Sequence, residues 1–533
     1  MDIFRRRIYP ARVEISNGII QSITEITEQM NHYLLPGFVD SHIHIESSLL
    51  VPSEFARLAV VHGTVAAVSD PHEIANVLGI TGIEFMVDNA ATVPFKFYFG
   101  APACVPATPF ETAGARLSNG DLESLFKRDD IHFLSEMMNA PGVINRDPAE
   151  LDKITLARQY GKCVDGHSPG FTGRKAQQYA QAGITTDHEC TSLEEARDKI
   201  RAGMLIQIRE GSAAKNLEDL LPLIDEYPDQ VMLCSDDRHP DDLVEGHINE
   251  MVKRAISAGA DLFNVIRAAT VNPANHYGLG IGLLRVGDPA DLIEVNSLQN
   301  MGVLKTIIDG NLVAENSVSF LHTQPVKKVN YFKVTPKVES DFAVPVETGR
   351  IRVIEVTDGQ IVTGSSLEYP RVEKEVVVSD LERDILKLSV VNRYKDQPPA
   401  VAFVRGFGIR SGALASSVAH DSHNIVTVGT TDIELTTAIN LIIANRGGIA
   451  FVNGKTSFIL PLPIAGIMTD AEGYGVGRQY AELNRQARQL GSALKAPFMT
   501  LSFMALLVIP ELKLSDKGLF DGNLFTSTSL FTQ

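Results

Sequence analysis

The chain has 533 residues, 44% hydrophobic and 21% charged, a composition that buries sizeable cores and excludes a small binding module, a fibrous repeat or a disordered chain. Lys plus Arg number 48 against 65 Asp plus Glu, a formal charge of -17, so a nucleic-acid backbone is repelled and no such partner is expected. The four cysteines, Cys104, Cys163, Cys190 and Cys234, form no Cys-x-x-Cys pair, and the longest apolar stretch, 498–510, is shorter than the ~20 residues a bilayer requires. A soluble, cytoplasmic protein with no membrane partner is the expectation.

Taken in chain order, residues 11–15 and 19–23 flank Asn17-Gly18 and predict a hairpin. It is too short for a domain of its own. Its expected partner is the strand-rich segment 290–295, 303–308 and 311–313, turning at Asp309-Gly310, so that residues 1–35 and 284–325 build one small β-sheet module. Between them, in residues 36–283, eight short apolar or β-branched runs lie at 37–44, 65–71, 95–106, 131–139, 162–169, 185–190, 205–211 and 231–239. Helix-forming stretches at 54–62, 74–89, 148–159, 175–182, 193–202 and 217–226 alternate with them. The fold class is therefore α/β, and the repeat predicts a (β/α)8 TIM-type barrel rather than an open sheet. From residue 326 to 533 the texture changes, with strands 449–452 and 456–460 joined across Asn453-Gly454 and helices over 432–444 and 475–490. This predicts a separate C-terminal α/β domain.

Barrels of this type carry their working groups at the C-terminal ends of the strands. The first run ends in His42-Ile-His44, two imidazoles on one face because strand side chains alternate. Later runs end in Ser135-Glu136, Asp165-Gly-His167, Asp187-His188-Glu189 and Ser235-Asp236-Asp237. A lone buried histidine is more often a satisfied core residue than a ligand. Scattered core histidines, however, have no reason to fall at successive strand ends. His42, His44, His167, His188, Glu136 and Asp236 together offer four imidazoles and two carboxylates, donors that suit Zn, Fe, Mn or Co. Six donors exceed one tetrahedral site, so a pair of divalent ions is expected, with Glu136 able to bridge them.

Other motifs fail on inspection. His72-Glu73-Ile-Ala-Asn76 lacks the second histidine of a zinc-protease helix, and Gly454-Lys455-Thr456 lacks the first glycine of a phosphate loop. His420-Asp-Ser-His423 in the last domain offers two histidines three apart, which could bind an additional metal or cover the barrel mouth; a polar turn between strands is the favoured expectation.

The segment Leu35-Pro-Gly-Phe-Val-Asp-Ser-His-Ile-His44 resembles the first barrel strand of the amidohydrolase superfamily. Within it the chain resembles bacterial adenine deaminases, through Ser69-Asp-Pro-His-Glu-Ile-Ala-Asn76, Ser135-Glu-Met-Met-Asn-Ala-Pro-Gly142, Asp165-Gly-His-Ser-Pro169, Thr186-Asp-His-Glu189, Arg209-Glu-Gly-Ser-Ala-Ala-Lys-Asn216 and Cys234-Ser-Asp-Asp-Arg-His-Pro-Asp-Asp242. The likeness runs on into Thr270-Val-Asn-Pro-Ala274 and His420-Asp-Ser-His-Asn424. It implies His42, His44, His167, His188 and Asp236 as metal ligands and Glu136 as the bridging carboxylate, where many relatives use a carboxylated lysine. It further implies two ions per chain, Mn or Fe ahead of Zn, adenine and water as reactants, and a place in purine salvage. Asp236 and Glu136 are the expected catalytic groups, and Glu73, Glu189, Arg209 and Glu210, near strand ends, are candidates for binding the purine edge. The chain is expected to lack a segment that relatives carry upstream, and its size suggests a homo-oligomer. The competing readings are an amidohydrolase that opens a cyclic amide, and a purine-binding homologue without catalysis.

Overall fold

The structure is a computed structural model that describes residues 1–532. A hairpin of β1 (Ala11–Ser16) and β2 (Ile19–Glu25) leads into β3 (Tyr33–Pro36) and then into a barrel. The barrel strands are β4 (Phe38–Ile43), β5 (Thr64–Ser69), β6 (Lys96–Ala101), β7 (Ile131–Met137), β8 (Cys163–Gly166), β9 (Thr186–Asp187), β10 (Leu205–Arg209) and β11 (Val231–Cys234). Every residue of β4, β5 and β11 is buried, as expected of parallel strands covered by helices outside and packed side chains inside. That double burial is why the sequence shows continuous apolar runs rather than alternation.

The strands pair in parallel in two arcs, β4 through β8 and β9 through β11. The first seam is closed where the Thr185 N–H donates to the Val164 carbonyl at 2.9 Å. At the second, the Asp236 N–H donates to the His42 carbonyl at 2.9 Å and the His44 N–H to the Asp236 carbonyl at 3.3 Å. The second seam is thus made by the backbones of three residues expected to work at the barrel mouth.

Several runs are shorter as strands than as sequence patterns. The sixth and eighth keep the ladder only at Thr186–Asp187 and Val231–Cys234, because their polar ends leave it to turn inward; Asp236 sits at φ 53°, in the left-handed region. The helix expected at 74–89 is two helices, His72–Leu78 and Ile80–Ala90, broken at Gly79 with φ 62°. The one at 217–226 splits into Leu217–Leu220 and Leu223–Glu226 around Pro222.

After the barrel, β12 (Leu292–Val295), β13 (Val303–Ile308), β14 (Asn311–Glu315) and β15 (Val318–Ser319) form a five-stranded sheet with β3. The N-terminal strand in that sheet is therefore β3. The β1–β2 hairpin remains a separate ribbon, tied alongside by the Ile20 N–H to the Asp288 carbonyl at 3.0 Å and the Ala290 N–H to the Gly18 carbonyl at 2.8 Å.

The last third of the chain is built on a large mixed sheet whose central strands are Ile385–Val391, Ile425–Gly429, Ala413–Ser416 and Gly448–Asn453. Alternation divides its two faces. Ala413, Ala415 and Ile425 pack on helix Asp432–Asn445 through Ile439 and Ile442. Leu414, Val426 and Val428 face the other way and share one core with the barrel and with helices Gly473–Gln489 and Pro497–Phe503. The turn between Ala413–Ser416 and Ile425–Gly429 is fixed over the barrel, where the Asn424 side-chain amide donates to the Thr112 carbonyl at 2.9 Å.

Candidate metal centre

His42 and His44, two apart on β4 and its end, are both buried and both face the barrel mouth. His44 Nε2 lies 3.2 Å from Asp236 Oδ1 and 3.6 Å from Glu136 Oε1; His42 Nε2 lies 3.7 Å from Asp236 Oδ1 and 4.0 Å from Glu136 Oε2. From the opposite arc, His188 Nε2 and His167 Nδ1 reach Glu136 Oε2 at 3.1 and 2.9 Å. The His42 and His188 rings stack with centroids 4.1 Å apart. The Glu136 carboxylate stands in the middle, one oxygen toward His44 and the other toward His42, His167 and His188.

This donor set fits divalent cations. Both ring nitrogens of His42 and Nδ1 of His188 are buried without a hydrogen-bond partner, a state that costs about 1–3 kcal/mol per group unless something accepts the lone pair or the proton. His42, His44 and Asp236 form one group, and His42, Glu136 and His188 another, whose ligand atoms lie within 4.8 Å of one another. The electrostatics point the same way. Burial, with His188 and His44 adding to it, drives His42 well below the usual imidazole range, leaving it a neutral donor. Burial also pulls His44 and His188 down, yet Asp236 and Glu136 at the first, and Glu136 and Glu189 at the second, outweigh it and hold both well above that range. The pocket therefore stabilises positive charge, which divalent ions supply while leaving imidazoles neutral to coordinate.

The strand ends are braced from behind. Gly166 lets β8 approach β9, since a Cβ there would run into the Thr186 carbonyl. The fully buried Lys199 ammonium donates to Asp187 Oδ1 at 2.7 Å, Glu195 Oε1 at 2.9 Å and the Ser168 carbonyl at 2.8 Å, and the Ser168 N–H donates to Asp187 Oδ2 at 2.9 Å. His167 precedes Ser168 and His188 follows Asp187, so one lysine fixes the backbone behind both imidazoles. Lys199→Met strands two buried carboxylates and is expected to destabilise the fold by about 3–5 kcal/mol, measured by denaturant unfolding.

Comparison with known proteins follows the two parts of this architecture. Residues 33–313 match the amidohydrolase family, and residues 360–526 match the adenine deaminase C-terminal domain. The chain is 54% identical to an adenine deaminase of Sulfurovum sp. over 98% of its own length and 97% of the relative. It is 53% identical to one of Salinibacter ruber and 50% identical to one of Methanosarcina mazei, over 100% of this chain and 98% of each relative. The chain belongs to the adenine deaminase family. In this adenine deaminase family member the expected α/β barrel of the amidohydrolases is present, and a family of this kind uses a divalent metal.

The residues expected to hold the purine fare differently. Arg209 is at the mouth, but its guanidinium holds both oxygens of Glu189 and donates to Asp236 Oδ2 at 2.9 Å. It thereby keeps two carboxylates ionised and oriented, and Glu189 lies far below the usual range although burial opposes this. Glu73 lines the same pocket, its two oxygens taken by His420 Nδ1 and His423 Nε2 of the C-terminal domain. Glu210 is not brought to the pocket at all. Alternation turns it away from Arg209, and its carboxylate accepts from Arg254 Nη1 at 2.6 Å and from the Leu217 N–H at 3.4 Å.

Sequence reasoning missed one residue and favoured the wrong reading for two others. His72 lines the pocket with its Nδ1 3.0 Å from Asp70 Oδ2 and 3.5 Å from Glu136 Oε1. His420 and His423 do lie in a turn between strands, but that turn also covers the barrel mouth, with both imidazoles buried on Glu73, and that carboxylate outweighs the effect of burial to bring His420 up to about 9. The repeated grouping of histidines with acids in Asp70-Pro-His-Glu73 and His420-Asp-Ser-His423 was the available signal.

Proposed function

We propose that the protein hydrolytically deaminates adenine to hypoxanthine and ammonia at a binuclear divalent-metal centre. The observation that carries this is the convergence of four histidines from three strand ends on the Glu136 carboxylate, with Asp236 against two of them, in a chain about half identical to adenine deaminases over its whole length. His42, His44 and Asp236 would hold one cation and His167 and His188 the other, with Glu136 between them. Cations bound there supply Lewis acidity and a nucleophilic water near neutral pH. The imidazole and carboxylate donors suit manganese, iron and zinc alike, and it is the likeness to adenine deaminases that puts manganese or iron ahead.

The chain's own groups handle the protons. Asp236 has one oxygen on the His42–His44 side and the other held by Arg209, which fixes a buried carboxylate at the place where the cations would hold the water. It takes a proton from that water and passes it to the departing amine. Arg209 and the neighbouring imidazoles keep Asp236 an ionised base, against the burial that opposes this. All four cysteines are unpaired, which accords with a reducing cytoplasm, and the product fits purine salvage.

Incubating Mn-loaded protein with adenine, while following purine absorbance and ammonia, tests the reading. Stoichiometric ammonia and hypoxanthine are expected. Turnover of a hydantoin with no ammonia from adenine would establish the cyclic-amide reading instead.

A further inference from the structure

The pocket at the metal centre has two walls. The barrel supplies the histidines and acids, and the C-terminal domain supplies Ile361, Met499, Phe503 and Leu506 together with His420 and Asp421. The His420 ring lies nearly parallel to Phe503, with centroids 5.0 Å apart. A flat aromatic base fits such an apolar wall, and its orientation is then set by the few polar groups that face it.

Most of the acids there are already committed. Glu136 and Asp236 belong to the metal centre, Glu189 is held at both oxygens by Arg209, and Glu73 is hydrogen-bonded to His420 at one oxygen and ion-paired with His423 at the other. Asp421 has no such close ion pair among the described residues: it is 4% exposed, and its Oδ2 has neither a hydrogen-bond donor nor a cation against it. Its other oxygen lies 3.9 Å from His72 Nε2, while the Nδ1 edge of the same ring faces Glu136 at 3.5 Å. Asp421 therefore stands one imidazole width away from the reacting centre. A base whose C6 amine faces the metals directs its five-membered ring, with the imidazole N–H, away from them.

We propose that Asp421, supplied by the C-terminal domain, accepts the imidazole N–H of the bound base and so makes the site selective for the free purine. This rests on adenine as the substrate. The N–H satisfies a buried carboxylate oxygen that otherwise lacks a donor, and a base substituted at that nitrogen leaves it unsatisfied.

Metal-loaded wild type, Asp421→Asn and Asp421→Ala are compared for kcat and KM with adenine and for inhibition by unsubstituted purine, which keeps the ring N–H and lacks the amine. KM and the purine Ki are expected to rise together by about tenfold or more, the loss a hydrogen bond to a charged group carries. The kcat and the metal content per chain are expected to hold. Because a variant can lose its fold, wild type carries a second arm: 9-methyladenine, which has no imidazole N–H, is expected to bind about tenfold or more weaker than adenine. Unchanged KM and Ki in the variants, 9-methyladenine bound as well as adenine, or loss of one ion per chain in Asp421→Asn each overturns the assignment. Wild type that releases no ammonia from adenine overturns the substrate reading along with it, whereas an active wild type with indifferent variants overturns this inference alone.

Discussion

Asp236→Asn is expected to lower kcat for adenine by roughly 10²–10⁴-fold, the range spanned by loss of a positioned general base. The carboxylate has three neighbours to serve: His42 and His44 on one oxygen and Arg209 on the other. An amide has one acceptor and one donor end. Turned either way, it places N–H groups against the guanidinium or against the imidazoles, and it cannot take a proton from water at neutral pH. Glu136→Gln is expected to be at least as damaging, since one of its two oxygens becomes a donor facing the imidazoles of His42, His167 and His188. Steady-state ammonia release and metal content, measured together, check both variants. An Asp236→Asn enzyme that keeps more than about a tenth of wild-type kcat would remove this residue from the proton transfers.

The barrel was legible in the sequence because parallel strands buried on both faces leave unbroken apolar runs, and because His42, His44, Glu136, His167, His188 and Asp236 punctuate the ends of those runs. What escaped were features created by tertiary packing. His72 lies on the first turn of a helix after β5, where the sequence shows only that a protease motif is missing. His420, Asp421 and His423 lie more than 300 residues from Glu73, and no local pattern reveals that their turn lands on the barrel mouth. Glu210 was misplaced because proximity to a strand end does not settle which way a side chain points; alternation after Arg209 does. The hairpin was correctly expected at Asn17-Gly18, but β3 rather than the hairpin enters the later sheet, where it pairs antiparallel with β12.

Removing the divalent cations is the second large perturbation. A chelator is expected to cut deaminase activity by roughly 10²-fold or more, because no side chain of the chain replaces the Lewis acid that brings water toward neutral pKa. Re-adding Mn²⁺ or Fe²⁺ is expected to restore activity with a break at two equivalents per chain. Stability should follow, since a ligand at 100 times its Kd stabilises the native state by about 2.7 kcal/mol. The apo protein is therefore expected to unfold at lower temperature, and a Lys199→Met variant, loosened behind His167 and His188, to need more metal for the same recovery. Full activity after exhaustive chelation would rule out metal-assisted chemistry.

Anomalous scattering from crystals of the Mn-loaded protein tests the centre most directly. Two peaks are expected, one among His42, His44 and Asp236 and the other beside His167 and His188, with Glu136 touching both. Peaks confined to other acidic groups, or a single ion that leaves His167 and His188 without a ligand, would contradict a shared pair of cations at the barrel mouth.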